Sequence, residues 1–236
     1  MSQDLYPLHI AISRGDYCLV LKIVGEKYDI NERDTKGRTP LYLAIKFQEH
    51  RIIWFLIEAG ADVNIRALNG TDPLYQAIDT CDQELCRYLI PKMKNINGSA
   101  YSLEKTNLRK AIDRGLHKIV EILISNGALV NNLVLHYVIG RYYTFKGDRC
   151  KNFWIIEILI SNGVDVNAED VLGYTPLHYA ASSKDINLVK YLISNGAKIP
   201  AEKEGIKGPL EYLSKEEQKE VFDYLNDDSI FIKGAQ

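Results

Sequence analysis

The chain has 236 residues, 46% hydrophobic and 25% charged, with 29 basic side chains against 31 acidic ones and a formal charge of −2, so it has no positive field to draw in a phosphate backbone. Nucleic acid is therefore not expected as a partner. No run reaches about 18 consecutive apolar residues and the start Met1-Ser2-Gln3-Asp4 lacks the charged and apolar regions of a signal peptide, which points away from a membrane or an ordinary export route and toward the cytoplasm.

One pattern recurs along the chain. The first copy, residues 1–33, opens a helix at Tyr6-Pro7-Leu8-His9 and starts a second apolar seam at Leu19. The second, residues 34–66, is the clearest: Arg38-Thr39-Pro40-Leu41-Tyr42-Leu43-Ala44, then Ile52-Ile53 and Leu56-Ile57, then Gly60-Ala61-Asp62-Val63-Asn64. Pro40 sits where a first helical residue tolerates a missing N–H, and Thr39 can offer its hydroxyl to the orphan donors there. The paired apolar residues make a wide buried stripe on the second helix, and Gly60 ends that helix in the left-handed region. The third copy, residues 67–98, repeats this from Leu74 with a seam at Leu85, and the fourth, residues 99–131, from Leu108 with a seam at Ile119. Ala44, Ala77, Ala111 and Ala180 keep the first helices slim enough for close approach. In the fifth copy, residues 132–168, Leu135 follows Leu108 by only 27 residues and precedes Leu177 by 42, because the hairpin is short and residues 141–151 are inserted between the helices. The sixth, residues 169–201, returns to Tyr174-Thr175-Pro176-Leu177-His178-Tyr179-Ala180, and the seventh, residues 202–226, opens at Gly208-Pro209-Leu210 and ends in a charged helix that reads as a polar cap.

A repeat near 33 residues carrying Thr-Pro-Leu-His-x-Ala resembles the ankyrin-repeat family, and the resemblance runs over nearly all of the chain. It implies an all-α fold, a solenoid of about seven helix-turn-helix repeats joined by short β-hairpin loops, forming a single domain over residues 1–236. A lone unit of this kind cannot bury its own apolar face, so stability is expected from stacking.

Few residues suggest chemistry. His9, His136 and His178 share one repeat position, where a histidine bonding to a neighbouring loop explains them better than a catalyst. Asp62-Val63-Asn64 and Asp165-Val166-Asn167 recur in hairpins, where Asp and Asn satisfy turn backbone groups rather than bind a cation. There is no Gly-rich phosphate loop, and Cys18, Cys81, Cys86 and Cys150 fall at unrelated positions, which favours reduced thiols. No enzyme activity, metal or cofactor is expected.

The family usually grips partners with hairpin tips and the open face of the first helices. Carried onto this chain, that implies Lys36, Arg38, Arg66 and Asn69 at the tips, and Lys46, Phe47, Asp79 and Arg114 on first helices. Phe47 stands where a polar residue is usual; it is either an aromatic anchor with a basic rim or packs on the adjoining repeat. Trp54 is expected to lie partly exposed on the second-helix side. The insertion adds Arg141, Tyr142, Tyr143 and Phe145, and Trp154 follows it, residue types that dominate protein interfaces. Two readings stand for these aromatics: they bind, or they fold back over the gap left by the short hairpin.

The function this implies is a non-catalytic adaptor or inhibitor binding one protein partner, acting as a monomer. The alternative is a ligand sensor holding a nucleotide or other small molecule between repeats, with Phe47 or Trp54 stacking. Abundant Ile, Asn, Lys and Tyr suggest an AT-rich genome, and stand-alone proteins of this look in viruses and intracellular bacteria often act on host proteins, in the host cytoplasm.

Overall fold

The computed structural model describes residues 6–98, 106–144, 149–200 and 206–226, with the backbone alone over 141–144 and 149–152. The described residues form thirteen α-helices and no β-strand, in two compact units, Met1–Leu129 and Val130–Gln236.

The first unit holds four helix pairs: α1 (Pro7–Ser13) with α2 (Tyr17–Gly25), α3 (Pro40–Phe47) with α4 (His50–Glu58), α5 (Pro73–Asp79) with α6 (Gln83–Leu89), and α7 (Asn107–Asp113) with α8 (His117–Ser125). First helices pack on one another in sequence, α1 on α3, α3 on α5 and α5 on α7. Leu8, Leu41, Leu74 and Leu108 are buried there, and so are Ala11, Ala44, Ala77 and Ala111, whose single methyl groups let the backbones approach. Three of these four first-helix starts carry a side-chain cap, and α1, which follows Tyr6, has none. The side chains of Thr39, Asp72 and Thr106 accept from the N–H groups of Tyr42, Tyr75 and Arg109 at 3.2, 2.8 and 3.1 Å.

Helices α4, α6 and α8 bury three residues each, such as Ile52, Ile53 and Leu56 or Ile119, Val120 and Leu123, while α2 buries only Val20 and Ile23, and Ile57 and Ile124 stay half-buried. In α2 the seam residue Leu19 is only half-buried, since no described helix precedes this pair to cover it. Helix ends recur with two exceptions, Lys27 rather than Gly after α2 and a 3-10 turn, Ile90–Lys92, after α6. Gly60 and Gly127 take φ of +94° and +86° after α4 and α8, and Gly15, Gln48, Cys81 and Gly115 take φ between 59° and 66° in the turns between paired helices. At each inter-helix turn two bonds close the end, as in Gln48 N–H to Ile45 O and Glu49 N–H to Ala44 O, both 3.0 Å.

Tight turns stand where hairpins were expected. Asp34 N–H donates to Arg38 O at 3.0 Å and Ala67 N–H to Thr71 O at 2.9 Å, with Gly37 and Gly70 left-handed in each turn. Side chains tie one repeat to the next. Asn31, Asn64 and Asn97 accept through Oδ1 from the N–H groups of Asp62, Lys94 and Leu129 at 2.7–2.8 Å, about one repeat further on. His9 Nε2 lies 2.9 Å from Arg38 O, and the Tyr42 hydroxyl, at the same repeat position, lies 3.0 Å from Thr71 Oγ1. The periodic histidine thus ties its helix to a neighbouring loop, as its spacing implied.

In the second unit the eleven-residue α9 (Val134–Thr144) and thirteen-residue α10 (Arg149–Ser161) exceed the seven and nine residues of α11 (Pro176–Ser182) and α12 (Ile186–Ser194), so much of the insertion is helical. α9 packs on α10 and α11, and α11 on α12. The same ties recur: His136 Nε2 lies 2.9 Å from Tyr174 O, and Asn167 Oδ1 accepts from Lys198 N–H at 2.8 Å. His178 Nδ1 differs, accepting from Thr175 N–H at 2.9 Å within its own helix start. In the last copy the first helix shrinks to a 3-10 turn, Pro209–Tyr212, because Ser214 and Glu217 form a capping box that begins α13 (Lys215–Leu225) soon afterwards. On α13 only Val221 is buried, which fits a solvent-facing end.

Candidate protein-binding surface

The residues left outside the packing follow the turn geometry. Each described hairpin places two residues at its tip between an Asp or Ala and the left-handed Gly: Thr35-Lys36, Leu68-Asn69 and Val171-Leu172. Asp34 Oδ1 accepts from Lys36 N–H and Arg38 N–H at 2.9 and 2.8 Å, and Asp170 Oδ1 does the same for Leu172 and Tyr174 at 2.9 and 3.0 Å. The turn is therefore rigid and its middle side chains point outward. Lys36, Leu68, Asn69, Val171 and Leu172 are all exposed. Thr71, just past the turn, is buried, with its hydroxyl 3.0 Å from that of Tyr42.

The expected contact residues have unequal freedom. Lys36 and Lys46 are exposed, and Phe47, the last residue of α3, keeps 45% of its surface in solvent. The Arg38 guanidinium is held by Asp34, with Nη2 at 2.6 Å and Nε at 2.7 Å from Oδ2. Burial, which pushes the Asp34 carboxyl up, is outweighed by the hydrogen bonds from Arg38 and Lys36, and its pKa lies below the usual range. Arg66 Nε stands 3.9 Å from the fully buried Asp72, and Asn69 Oδ1 accepts from Thr71 N–H and hydroxyl at 3.1 and 2.7 Å. Asp79 and Arg114 pair with each other at 2.5 Å.

In the fifth copy Trp154 is 54% exposed on α10, whereas its neighbour Phe153 packs on Tyr191 with ring centroids 4.9 Å apart. Phe145 lies outside the described residues, as do the side chains of Arg141, Tyr142 and Tyr143, whose backbone continues α9. Trp54 is half-buried and set edge-on to Tyr88 at 5.0 Å.

Several features had not been singled out. A recess of about 230 Å³ in the second unit is walled by Tyr174, Tyr179, Tyr212, His178, Leu172 and Ser182. The Tyr179 hydroxyl donates to Asp170 Oδ2 at 2.7 Å, and that bond together with burial pushes its pKa up to about 12. Val171 and Leu172 beside it occupy the tip positions that Thr35 and Lys36 hold in the second copy, so the repeat register already marked them. Nothing in the pattern marked the convergence of the tyrosines. Among the described residues no three His, Cys, Asp or Glu side chains gather to hold a metal, and no helix is long and apolar enough to cross a membrane. Cys18 and Cys81 are exposed free thiols, and burial pushes the pKa of Cys86 up to about 12.

The family model for ankyrin repeats matches residues 8–100, 108–203 and 135–233. No curated protein sequence matches the chain. Among solved structures, an ankyrin repeat domain from Acinetobacter baumannii AYE is similar, with 29% identity, coverage of 82% of this chain and 99% of that one, and a TM-score of 0.69. The ankyrin repeat domain of Bcl-3, of the IκB protein family, shares the fold at 20% identity, with 92% and 97% coverage and a TM-score of 0.66. The human ASB11 ankyrin repeat domain does so at 19% identity, 92% and 97% coverage and a TM-score of 0.65. With the repeated helix pairs, the capped starts, the left-handed ends and this match over most of its length, the chain belongs to the ankyrin-repeat family.

Proposed function

We propose that the protein is a non-catalytic adaptor or inhibitor that binds a protein partner through its hairpin tips, the open ends of its first helices and the fifth-copy helices. Domains of ankyrin repeats generally serve as protein-protein interaction modules. The observation that carries the reading is the set of large apolar side chains left in solvent at positions the packing does not use: Phe47, Leu68, Trp154, Val171 and Leu172. They sit on rigid turns and helices, so ordering costs on binding are small, and affinity rests on a few anchors. Lys46 and Asn69 border these anchors in sequence, Lys36 accepts through its carbonyl from Leu68 N–H at 2.9 Å, and Arg38, Arg66, Asp79, Arg114, Arg141, Tyr142, Tyr143 and Phe145 complete the proposed contact set. The partner is a cytoplasmic protein, of the host where the chain comes from a virus or an intracellular bacterium, and the chain meets it as a monomer.

Affinity capture from lysate with the native chain and with a Phe47→Ala, Leu172→Ser, Trp154→Ala variant tests this. A partner retained by the first and lost by the second, with melting unchanged, is the expected result. Saturable quenching of Trp54 or Trp154 fluorescence by a nucleotide, with no protein retained, would replace it with the ligand-sensor reading.

A further inference from the structure

In the first unit a groove of about 650 Å³ opens between successive loops, and its charged lining is Arg33, Arg66 and Lys94, with no carboxylate among the lining residues. The neighbouring acids other than Asp72 are engaged elsewhere. Asp29 accepts from Asn31 N–H at 2.9 Å, Asp62 from Asn64 N–H at 2.8 Å, Glu32 takes the Tyr28 hydroxyl, and Asp34 holds Arg38. Asp72, fully buried at the start of α5, stands 3.9 Å from Arg66 Nε and offsets part of that cation's charge, leaving Arg33 and Lys94 as the cations without a carboxylate beside them. The loops are thus mixed in charge while the groove between them is cationic.

Two of the cations are set in place. Arg33 donates through Nε to Gly37 O at 3.2 Å and through Nη2 to Arg66 O at 2.9 Å, so its planar fork is held by two carbonyls that leave its charge uncompensated. Lys94 is fixed at its backbone, where its N–H donates to Asn64 Oδ1 at 2.7 Å, and its side chain is exposed. Ile65, Leu68 and Met93 supply an apolar wall between them.

We infer that this groove binds an extended acidic segment of a partner protein, with Arg33, Arg66 and Lys94 pairing its carboxylates and Leu68 and Met93 receiving one apolar side chain. The inference rests on the protein-binding reading and names the chemistry of the partner there. The cations come from three successive loops, each about one repeat after the last, which suits a row of carboxylates. No aromatic ring lines the groove, so it offers no platform for stacking bases, which favours a peptide over a single-stranded nucleic acid.

Fluorescence polarisation with a labelled peptide of alternating Glu and Asp around a central Leu, titrated with the full chain, tests the assignment. The native chain binds it, binding weakens with salt, and the Gln and Asn counterpart does not bind. Lys94→Glu and Arg33→Ala each weaken binding about tenfold, the scale of a lost charge-assisted hydrogen bond. Lys22→Ala, on α2 and outside the groove, leaves it unchanged. Because Arg33 also ties two loops together, the exposed Lys94 decides: undiminished binding to a Lys94→Glu chain with native melting overturns the proposal. So does equal affinity for a single-stranded oligothymidylate, or displacement of the peptide by inorganic phosphate alone. If the peptide fails to bind while a partner is still captured through Phe47, Leu172 and Trp154, this groove assignment falls and the protein-binding reading stands.

Discussion

Asp79 and Arg114, at the ends of α5 and α7, meet each other at 2.5 Å, and Lys110 closes on the same carboxylate oxygen at 2.6 Å. Burial works to raise the Asp79 carboxyl, but the hydrogen bonds from Arg114 and Lys110 outweigh it and hold its pKa below the usual range. A lowered folded pKa stabilises above the unfolded value of about 3.9, and that stability is lost as pH falls through the folded value. Asp79→Asn is expected to lower stability at neutral pH by less than about 1 kcal/mol, because both partners are partly exposed. Urea unfolding at neutral pH and in acid checks it: the deficit shrinks in acid and in high salt.

The opposite sign holds at Asp72. Its carboxyl is fully buried, burial outweighs the Tyr75 N–H and Arg66, and its pKa is raised. Its Oδ2 and the Oδ1 of buried Asn107 have no hydrogen-bond partner. Stability from the protonated form is present below about 3.9 and is lost as pH rises through the raised value. Asp72→Asn keeps an oxygen for the Tyr75 cap and removes the buried charge. Thermal melting is expected to rise at neutral pH, with the gain vanishing in acid.

Gln48, Cys81 and Lys184 hold φ of 59°, 60° and 60° where Gly15 and Gly115 stand in other copies. A side chain in the left-handed region costs about 1 kcal/mol, and glycine removes that cost at the expense of unfolded-chain entropy. Lys184→Gly should raise the midpoint of denaturant unfolding by a few tenths of a kcal/mol to about 1 kcal/mol. Gly15→Ala should lower it, since its Cβ would also meet Glu49 Oε1 at 2.9 Å.

Asn64 and Asn167 accept from the N–H of Lys94 and Lys198 and donate to Lys92 O and Gly196 O. Replacing either by Ala hands those exposed backbone groups to water and should cost about 0.5–1.5 kcal/mol. Hydrogen exchange at Lys94 or Lys198, faster in the variant, locates the loss.

Val171→Asp, at a 95% exposed tip position, should change stability by less than about 0.5 kcal/mol, and Leu172→Asp, whose side chain also edges the tyrosine recess, by somewhat more. Partner capture should fall while melting stays constant, which separates a contact role from a packing one.

The opening leucines, the capped starts and Gly60 and Gly127 were legible because each depends on neighbours within a few residues. So was the place of the fifth copy's insertion, from the uneven spacing of Leu108, Leu135 and Leu177. What escaped depends on side chains a repeat apart. Arg114 looked like a free contact residue until α5 brought Asp79 to it, and the Trp54 ring, partly exposed as expected, meets Tyr88 edge-on, a contact its own sequence does not show. Cys81 and Lys184 hid a left-handed turn, since nothing about either residue announces that conformation. The collapse of the last first helix to a 3-10 turn turned on a capping box that also marks a helix start, four residues after Leu210.

The extra length of α9 and α10 enters where one ends and the other begins, while the far end of α10 closes through Gly163 N–H to Ile160 O at 2.9 Å like its counterparts. One edge of a module can therefore be lengthened, trimmed or exchanged without retuning the opposite edge. That makes the fifth copy's junction a natural grafting point, where a foreign helical hairpin could be spliced in while the Asn167 tie to Lys198 goes on setting the spacing of its neighbour.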